Sequence, residues 1–453
     1  MSYYYKEKKK NSAIRKVFLF LMAIAVLLVV VECIDVVRHK NRIYPGVTIS
    51  GITVAGLNKD EVSNVIKPVI EKMIYSNRVF TFENEEFIIH PKEQLDANVE
   101  LAGVIENAYS VCRRGSIIEK IKERFLALKH GFDVSLSLKF QKDKLKKIFE
   151  NISQNIQRNP KEAFLNHNRI FESETGIKLD IEKFNKIFIS NLNEIDESKY
   201  RMEIPVIVEK PEVNTIDILE KIGMKHSLSD YSTSVAGKED NTIFNITLAA
   251  ELVNGVIIKP EEVFSFNEYV GPAEKEDGFK ESTIIANGKF VNGYGGGVCQ
   301  VASTLYNALI LGNFNIIERY NHSVYGDATT YVPLGRDSGI FYGYKDLRFK
   351  NNYDEEIVIF AKKMGDILRV VILGKNENKT EVEVISKDKK VTDYEIVREK
   401  DENLGKGQEF IAQEGVNGYE IKTYRIIRQD GTEKIELLSS DKYNSVPMII
   451  REN

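Results

Sequence analysis

The chain has 453 residues, with 63 Lys and Arg against 67 Asp and Glu for a formal net charge of −4, and it is 43% apolar and 29% charged. That is enough chain for roughly two to four folded domains, and the near-neutral balance gives no electrostatic footprint for nucleic acid. Three cysteines, Cys33, Cys112 and Cys299, are too few for a disulfide framework, although a Cys112–Cys299 bridge stays open, and the six histidines form no His-x-x-x-His pair, so neither a metal site nor a cofactor is expected.

The first element is apolar. From Val17 to Val31 no polar side chain interrupts the sequence. As a helix this run covers roughly 22 Å, and continuing it to Val37 reaches the ~30 Å of a hydrocarbon core. Lys6, Lys8, Lys9, Lys10, Arg15 and Lys16 all precede it. The positive-inside rule therefore predicts a cytoplasmic tail over 1–16, a signal-anchor over 17–37 and extracytoplasmic domains beyond. A cleaved signal peptide is the competing reading. No small-x-small pattern follows the run, and Glu32 precedes Cys33 where a lipid-modified cysteine wants a small residue.

After an extended entry over 44–54, Asn58 and Glu61 read as a capping box for a helix carrying Val62, Val65, Ile66, Val69, Ile70, Met73 and Ile74, kinked at Pro68. Strands follow at 78–82 and 87–89 around a turn at 84–86. Lysine-rich amphipathic helices at 116–128 and 142–152, a strand at 133–140, and a second strand-then-helix unit at 176–192 complete an α+β module built twice. Acidic residues interleave with the lysines, which marks solvated faces rather than a binding patch. Residues 210–215 and 375–379 read as linkers, with a new domain opening near Ile216. Beyond the second linker the chain is almost all strand, with Asp430-Gly431 as a hairpin turn and Gly405, Gly407, Gly415 and Gly418 as punctuation.

Three family resemblances follow from these segments. Pro45-Gly46-Val47, Gly51-Ile52 and Gly56-Leu57 before the Asp60-Glu61 helix, with Asn159-Pro160 to Gly176 and Ile204-Pro205-Val206, resemble the peptidoglycan-binding module found before envelope transpeptidase domains, over 45–210. The glycine-marked tail, 380–453, resembles a G5 domain, which implies binding to an N-acetylglucosamine-containing wall polymer. Between them stand Asn245-Ile246-Thr247-Leu248, Val270-Gly271-Pro272, Gly295-Gly296-Gly297-Val298-Cys299-Gln300, His322-Ser323, Tyr331-Val332-Pro333-Leu334-Gly335-Arg336-Asp337 and Asp346-Leu347-Arg348-Phe349. These ordered motifs resemble the VanW family over 216–374, with Ala302 and Ser338 where serine and alanine are expected. The resemblance implies an α+β domain, presented between membrane and wall and tied to cell-wall synthesis or glycopeptide response.

The chemistry has to come from the residues. Three glycines before an amphipathic helix permit positive φ and close backbone approach, so Gly295, Gly296 and Gly297 are candidate ligand-binding positions. They place Cys299 in the first helical turn, where the dipole favours a thiolate and free N–H groups favour an oxyanion. Gln300 could add an oxyanion donor, His322 could serve as base, and Asp337 or Asp346 could orient it. The competing reading of Cys299 is a packed core thiol. Arg336 and Asp337 read either as a buried ion pair or as a carboxylate-binding fork. Two functions stay open: a wall-binding envelope protein, or a thiol-dependent peptidoglycan amidase, peptidase or acyltransferase using Cys299 and His322.

Overall fold

A computed structural model describes residues 2–286, 289–326 and 329–453. The chain divides into two units, one of Met1–Asn159 with Gly176–Glu209 and one of Pro160–Thr175 with Lys210–Asn453.

In the first unit the helix Ser2–Arg38 contains a stretch, Arg15–Arg38, whose 24 residues are long and apolar enough to cross a membrane. The capping box of Asn58 and Glu61 is formed, and the helix Lys59–Tyr75 runs through Pro68 as one element. Its buried face of Val62, Ile66, Ile70, Met73 and Ile74 meets a core centred on Phe80, Phe149, Phe184 and Phe188. Phe80 stacks on Phe188 with ring centroids 4.9 Å apart and meets Phe184 edge-on at 5.3 Å. Arg78, fully buried, spends its guanidinium on the carbonyls of Asn191 at 3.1 Å and Met73 at 3.2 Å and lies over the Tyr200 ring. This ties the strand Arg78–Phe82 to the helix Ile181–Leu192 without an unpaired charge. The turn before the strand Glu85–Ile89 uses Glu83 at φ 51, and the strand expected at 133–140 is regular only over Phe132–Val134.

The second unit is built on a six-stranded antiparallel sheet. Its order is His226–Ser234, Ile367–Gly374, Ile357–Met364, Val256–Ile258, Arg169–Phe171 and Phe164–Asn166. The last two strands come from residues 160–176, which the sequence reading groups with the segments before and after them, and they pair with Val256–Ile258. Ile170 N–H donates to Gly255 O at 2.8 Å and Ile257 N–H to Asn168 O at 2.7 Å. Gly255, at φ 73, makes the approach possible, because a Cβ there would sit 1.9 Å from the Ile170 oxygen. The helices Asp240–Val253 and Val298–Leu311 cover the sheet around Ile246, Val301, Leu305, Leu309 and Phe349.

The tail is all β, as its alternation predicts. Glu381–Thr392, Gly418–Gln429 and Thr432–Tyr443 form one antiparallel sheet, with Asp430-Gly431 at the turn, and Ile396–Lys400, Met448–Glu452 and Glu409–Gln413 form another. Its strands pack on the loop that carries the Tyr331–Asp337 motif. Thr423 Oγ1 donates to Gly335 O at 3.1 Å, and a Cβ on Gly335 would come within 2.5 Å of that hydroxyl.

Candidate active site around Cys299

The glycine run turns the chain from the hairpin strand Lys289–Tyr294 into the helix Val298–Leu311. Gly295 and Gly297 hold φ 74 and φ 103, where a side chain would be strained, and a Cβ on Gly297 would lie 2.7 Å from Ile246 Cγ1. The loop therefore sits against the helix Asp240–Val253 and starts the next helix abruptly. Cys299 occupies the second position of that helix, partly exposed, on the wall of a cleft of about 1080 Å³ that Gly295, Gly296, Gly297 and His322 also line. The Cys299 N–H donates to no described residue, as expected in a first turn. Ile340 N–H points at Sγ from 3.4 Å.

His322 comes to the same thiol from the loop after the strand Asn315–Glu318. Its Nδ1 meets Asp337 Oδ2 at 2.6 Å, and its backbone N–H donates to the same oxygen at 2.7 Å. With Nδ1 taken, Nε2 is the nitrogen left for the thiol, and the imidazole and Cys299 line the same cleft. Asp337 is fully buried and has every contact a buried carboxylate needs. Its Oδ1 accepts from Tyr443 Oη at 2.5 Å and from Arg319 Nη2 at 3.1 Å.

These contacts decide the electrostatics. Burial pushes the Cys299 thiol up, but the His322 hydrogen bond, the His322 charge and the Ile340 N–H outweigh it and leave the thiol below its ordinary value. Burial works against the His322 cation, yet hydrogen bonds to Asp337 and Cys299 raise it to about 10. Asp337 is likewise disfavoured as an anion by burial, but His322 and Arg319 hold it down at about 2. All three shifts run the same way, toward a thiolate, an imidazolium and a carboxylate in series.

The other sequence candidates lie elsewhere. Gln300 is buried and its amide donates to Thr233 Oγ1 at 3.0 Å and Ser234 O at 2.8 Å, so its N–H groups are not available as oxyanion donors. Arg336 does not pair with Asp337; its Nε donates to Asn307 Oδ1 at 2.6 Å, and its guanidinium lies over the Tyr231 ring. Asp337 takes Arg319 instead. Asp346 accepts from Ser265 Oγ at 2.5 Å and from the N–H of Asn267 at 2.9 Å, a capping role away from His322. Sequence reasoning missed Arg319, Asp441 and Tyr443. The two carboxylate oxygens of Asp441 each accept from Arg319 Nη1 at 2.7 Å.

Family models match three segments: one described as "VanW like protein" over 241–373, one as "Putative peptidoglycan binding domain" over 88–201, and the G5 domain over 381–452. A Bacillus subtilis protein with the printed name "Uncharacterized protein YoaR" is 33% identical over 231 residues, 51% of this chain and 74% of its own. The vancomycin B-type resistance protein VanW of Enterococcus faecalis is 36% identical over 118 residues, 26% of this chain and 43% of that protein. Two solved G5 structures, HP0197-G5 and the IgA1 protease G5 domain, each cover 17% of the chain at 18% and 23% identity with a TM-score of 0.12. The modules and relatives fit a cell-wall-associated protein. The chain belongs to the VanW family, with a peptidoglycan-binding domain before the VanW-like segment and a G5 domain after it.

Proposed function

We propose that this protein is a membrane-anchored, thiol-dependent acyl-transfer enzyme of the cell envelope, acting on wall peptides that its flanking modules hold nearby. One observation carries the reading: Cys299 lines an open cleft together with His322, whose imidazole is held from behind by the buried Asp337 carboxylate. A packed core thiol has no use for an imidazole held by a buried carboxylate.

The chemistry runs as follows. The Cys299 thiolate attacks a peptide carbonyl, and the developing oxyanion lies toward the N-terminal turn of Val298–Leu311, where first-turn N–H groups favour negative charge. The His322 imidazolium gives its proton to the leaving amine, which departs as the C–N bond breaks and leaves a thioester on Cys299. Water or a second amine, deprotonated by His322, then takes the acyl group and releases the thiolate. Asp337 keeps Nδ1–H engaged so that Nε2 faces sulfur throughout. The helix over 17–37 would anchor the protein with residues 1–16 cytoplasmic, and the peptidoglycan-binding and G5 domains would bind peptidoglycan or an N-acetylglucosamine-containing polymer.

The test is incubation of the detergent-solubilised chain with peptidoglycan fragments, read by mass spectrometry. Cleaved or transferred peptides and an acyl adduct on Cys299 are expected, both absent in Cys299→Ala. Identical products from the two proteins, with no adduct, would overturn the reading. Failure to co-sediment with purified sacculi would remove the wall-binding part.

A further inference from the structure

The carboxylate behind His322 does not stand alone. Arg319 is 5% exposed and bridges two buried carboxylates, Asp337 through Nη2 at 3.1 Å and Asp441 through Nη1 at 2.7 Å, while its Nε donates to Asp337 O at 2.5 Å. Asp441 belongs to the strand Thr432–Tyr443, which lies within the G5 match, and so does Tyr443, whose hydroxyl donates to Asp337. The neighbouring chain is fastened to the same loop: Asn321 Nδ2 donates to Lys442 O at 2.8 Å and Asn444 N–H to Ser323 O at 2.7 Å.

Charge balance gives this arrangement a purpose. A guanidinium paired with Asp337 alone would cancel the charge that holds the imidazolium, leaving His322 facing a neutral pair. Asp441 takes up the guanidinium with both its oxygens, so two carboxylates against one cation leave one net negative charge behind His322. The remaining groups nearby do not supply that charge. Tyr306, Tyr325, Tyr331 and Tyr443 all have their hydroxyls pushed upward, first by burial, and stay neutral.

We propose that the G5 domain completes the VanW-like site, with Asp441 as a positioning residue that neutralises Arg319 so that Asp337 keeps its charge for His322, and Tyr443 as one that fixes the Asp337 carboxylate. The G5 domain is thereby part of the reactive centre, and its strand bearing Asp441 sets the pH range over which the thiolate–imidazolium pair exists. This rests on the proposed function for the meaning of the pair but not for its test.

The experiment follows alkylation of Cys299 in the full chain by iodoacetamide, peptide by peptide in a mass spectrometer, from pH 4 to 11. The parent should show two steps, an acid one where the pair forms and an alkaline one at about 10 where His322 loses its proton. In Asp441→Asn the alkaline step should move down by about one pH unit, the effect of one charge at several ångströms in a partly shielded site. In Arg319→Gln it should move up or stay. General loosening would move both variants the same way, so the difference in sign is diagnostic; should Arg319→Gln fail to fold, Asp441→Glu, which keeps the charge, takes its place and should leave the step at the parent position. An unchanged alkaline step in Asp441→Asn, or a downward step in Arg319→Gln, overturns the inference. A parent without the two-step profile overturns both the inference and the proposed function, whereas the variant outcomes bear on the inference alone.

Discussion

Two cysteines in the two units contrast a thiol that burial pushes up with one that is lowered in spite of burial. Cys112 is fully buried in the first unit and pushed up to about 11, by burial first and by the Glu123 charge second. Cys299 is also disfavoured as a thiolate by its surroundings, yet it lies below its ordinary value. Nearby positive charge does not explain the difference, since Arg113 and Arg124 both stand close to Cys112. Those arginines are committed elsewhere, Arg113 to the carbonyls of His39 at 2.7 Å and Arg42 at 2.6 Å, Arg124 to Glu32. Cys299 has beside it an imidazole whose Nδ1 is already taken by Asp337 and whose neighbourhood lowers the thiol. The two shifts part because the cations near Cys112 are spent on other partners, while the imidazole near Cys299 is charged by Asp337 behind it.

The contrast can be broken from the first unit. Phe80→Ala should cost about 3–5 kcal/mol, because Phe80 is fully buried among Phe184 and Phe188 and nothing can collapse into its place. Denaturant melts should show the loss in the first transition, with Cys112 becoming alkylatable while the Cys299 profile keeps its shape. A change in that profile would mean that the two environments are not locally set.

It can be sharpened at the imidazole. His322→Ala should return Cys299 to an ordinary thiol that ionises near pH 8.5 or above, with alkylation at pH 5.5 falling at least about tenfold. Cys112 should stay inert in both proteins up to pH 9. Folding should feel the same change with a defined sign: His322 is raised to about 10, so its stabilisation is complete below its unfolded value of about 6.5 and disappears as pH rises through 10.

The smallest effect is expected at Tyr443. Asp337, depressed to about 2, stabilises the fold above its unfolded value of about 3.9 and loses that contribution as pH falls through 2. Tyr443→Phe removes one donor to the carboxylate, so acid unfolding followed by circular dichroism should begin higher by less than about one pH unit. An unshifted midpoint would show that the hydroxyl only packs.

Much of this candidate site was readable in the sequence because Cys299 and His322 sit in short, dense motifs. Gly295-Gly296-Gly297 announces a backbone that tolerates positive φ, and a cysteine two residues on falls in the first turn by helix geometry alone. What supports those groups was not readable. Arg319 and Asp441 are 122 positions apart, and alternation in the strand Thr432–Tyr443 says which residues share a face but not which loop that face meets. Gln300 misled for a related reason: an amide in a first turn can serve a substrate or a neighbour, and only the fold supplies Thr233 and Ser234. The strands Phe164–Asn166 and Arg169–Phe171 are too short, at three residues each, for periodicity to reveal a partner at Val256.

That hairpin also fixes an order of events during synthesis. Residues 164–171 leave the ribosome before any strand they join, and Val256–Ile258 follows only after the first unit has received its last strands, Arg201–Glu203 and Val206–Glu209. Phe164 and Phe171, stacked at 4.6 Å in the finished sheet, must wait on a tethered loop of the first unit until the second begins. The early unit can close around a segment it will not keep, and the late unit starts from a strand already in hand.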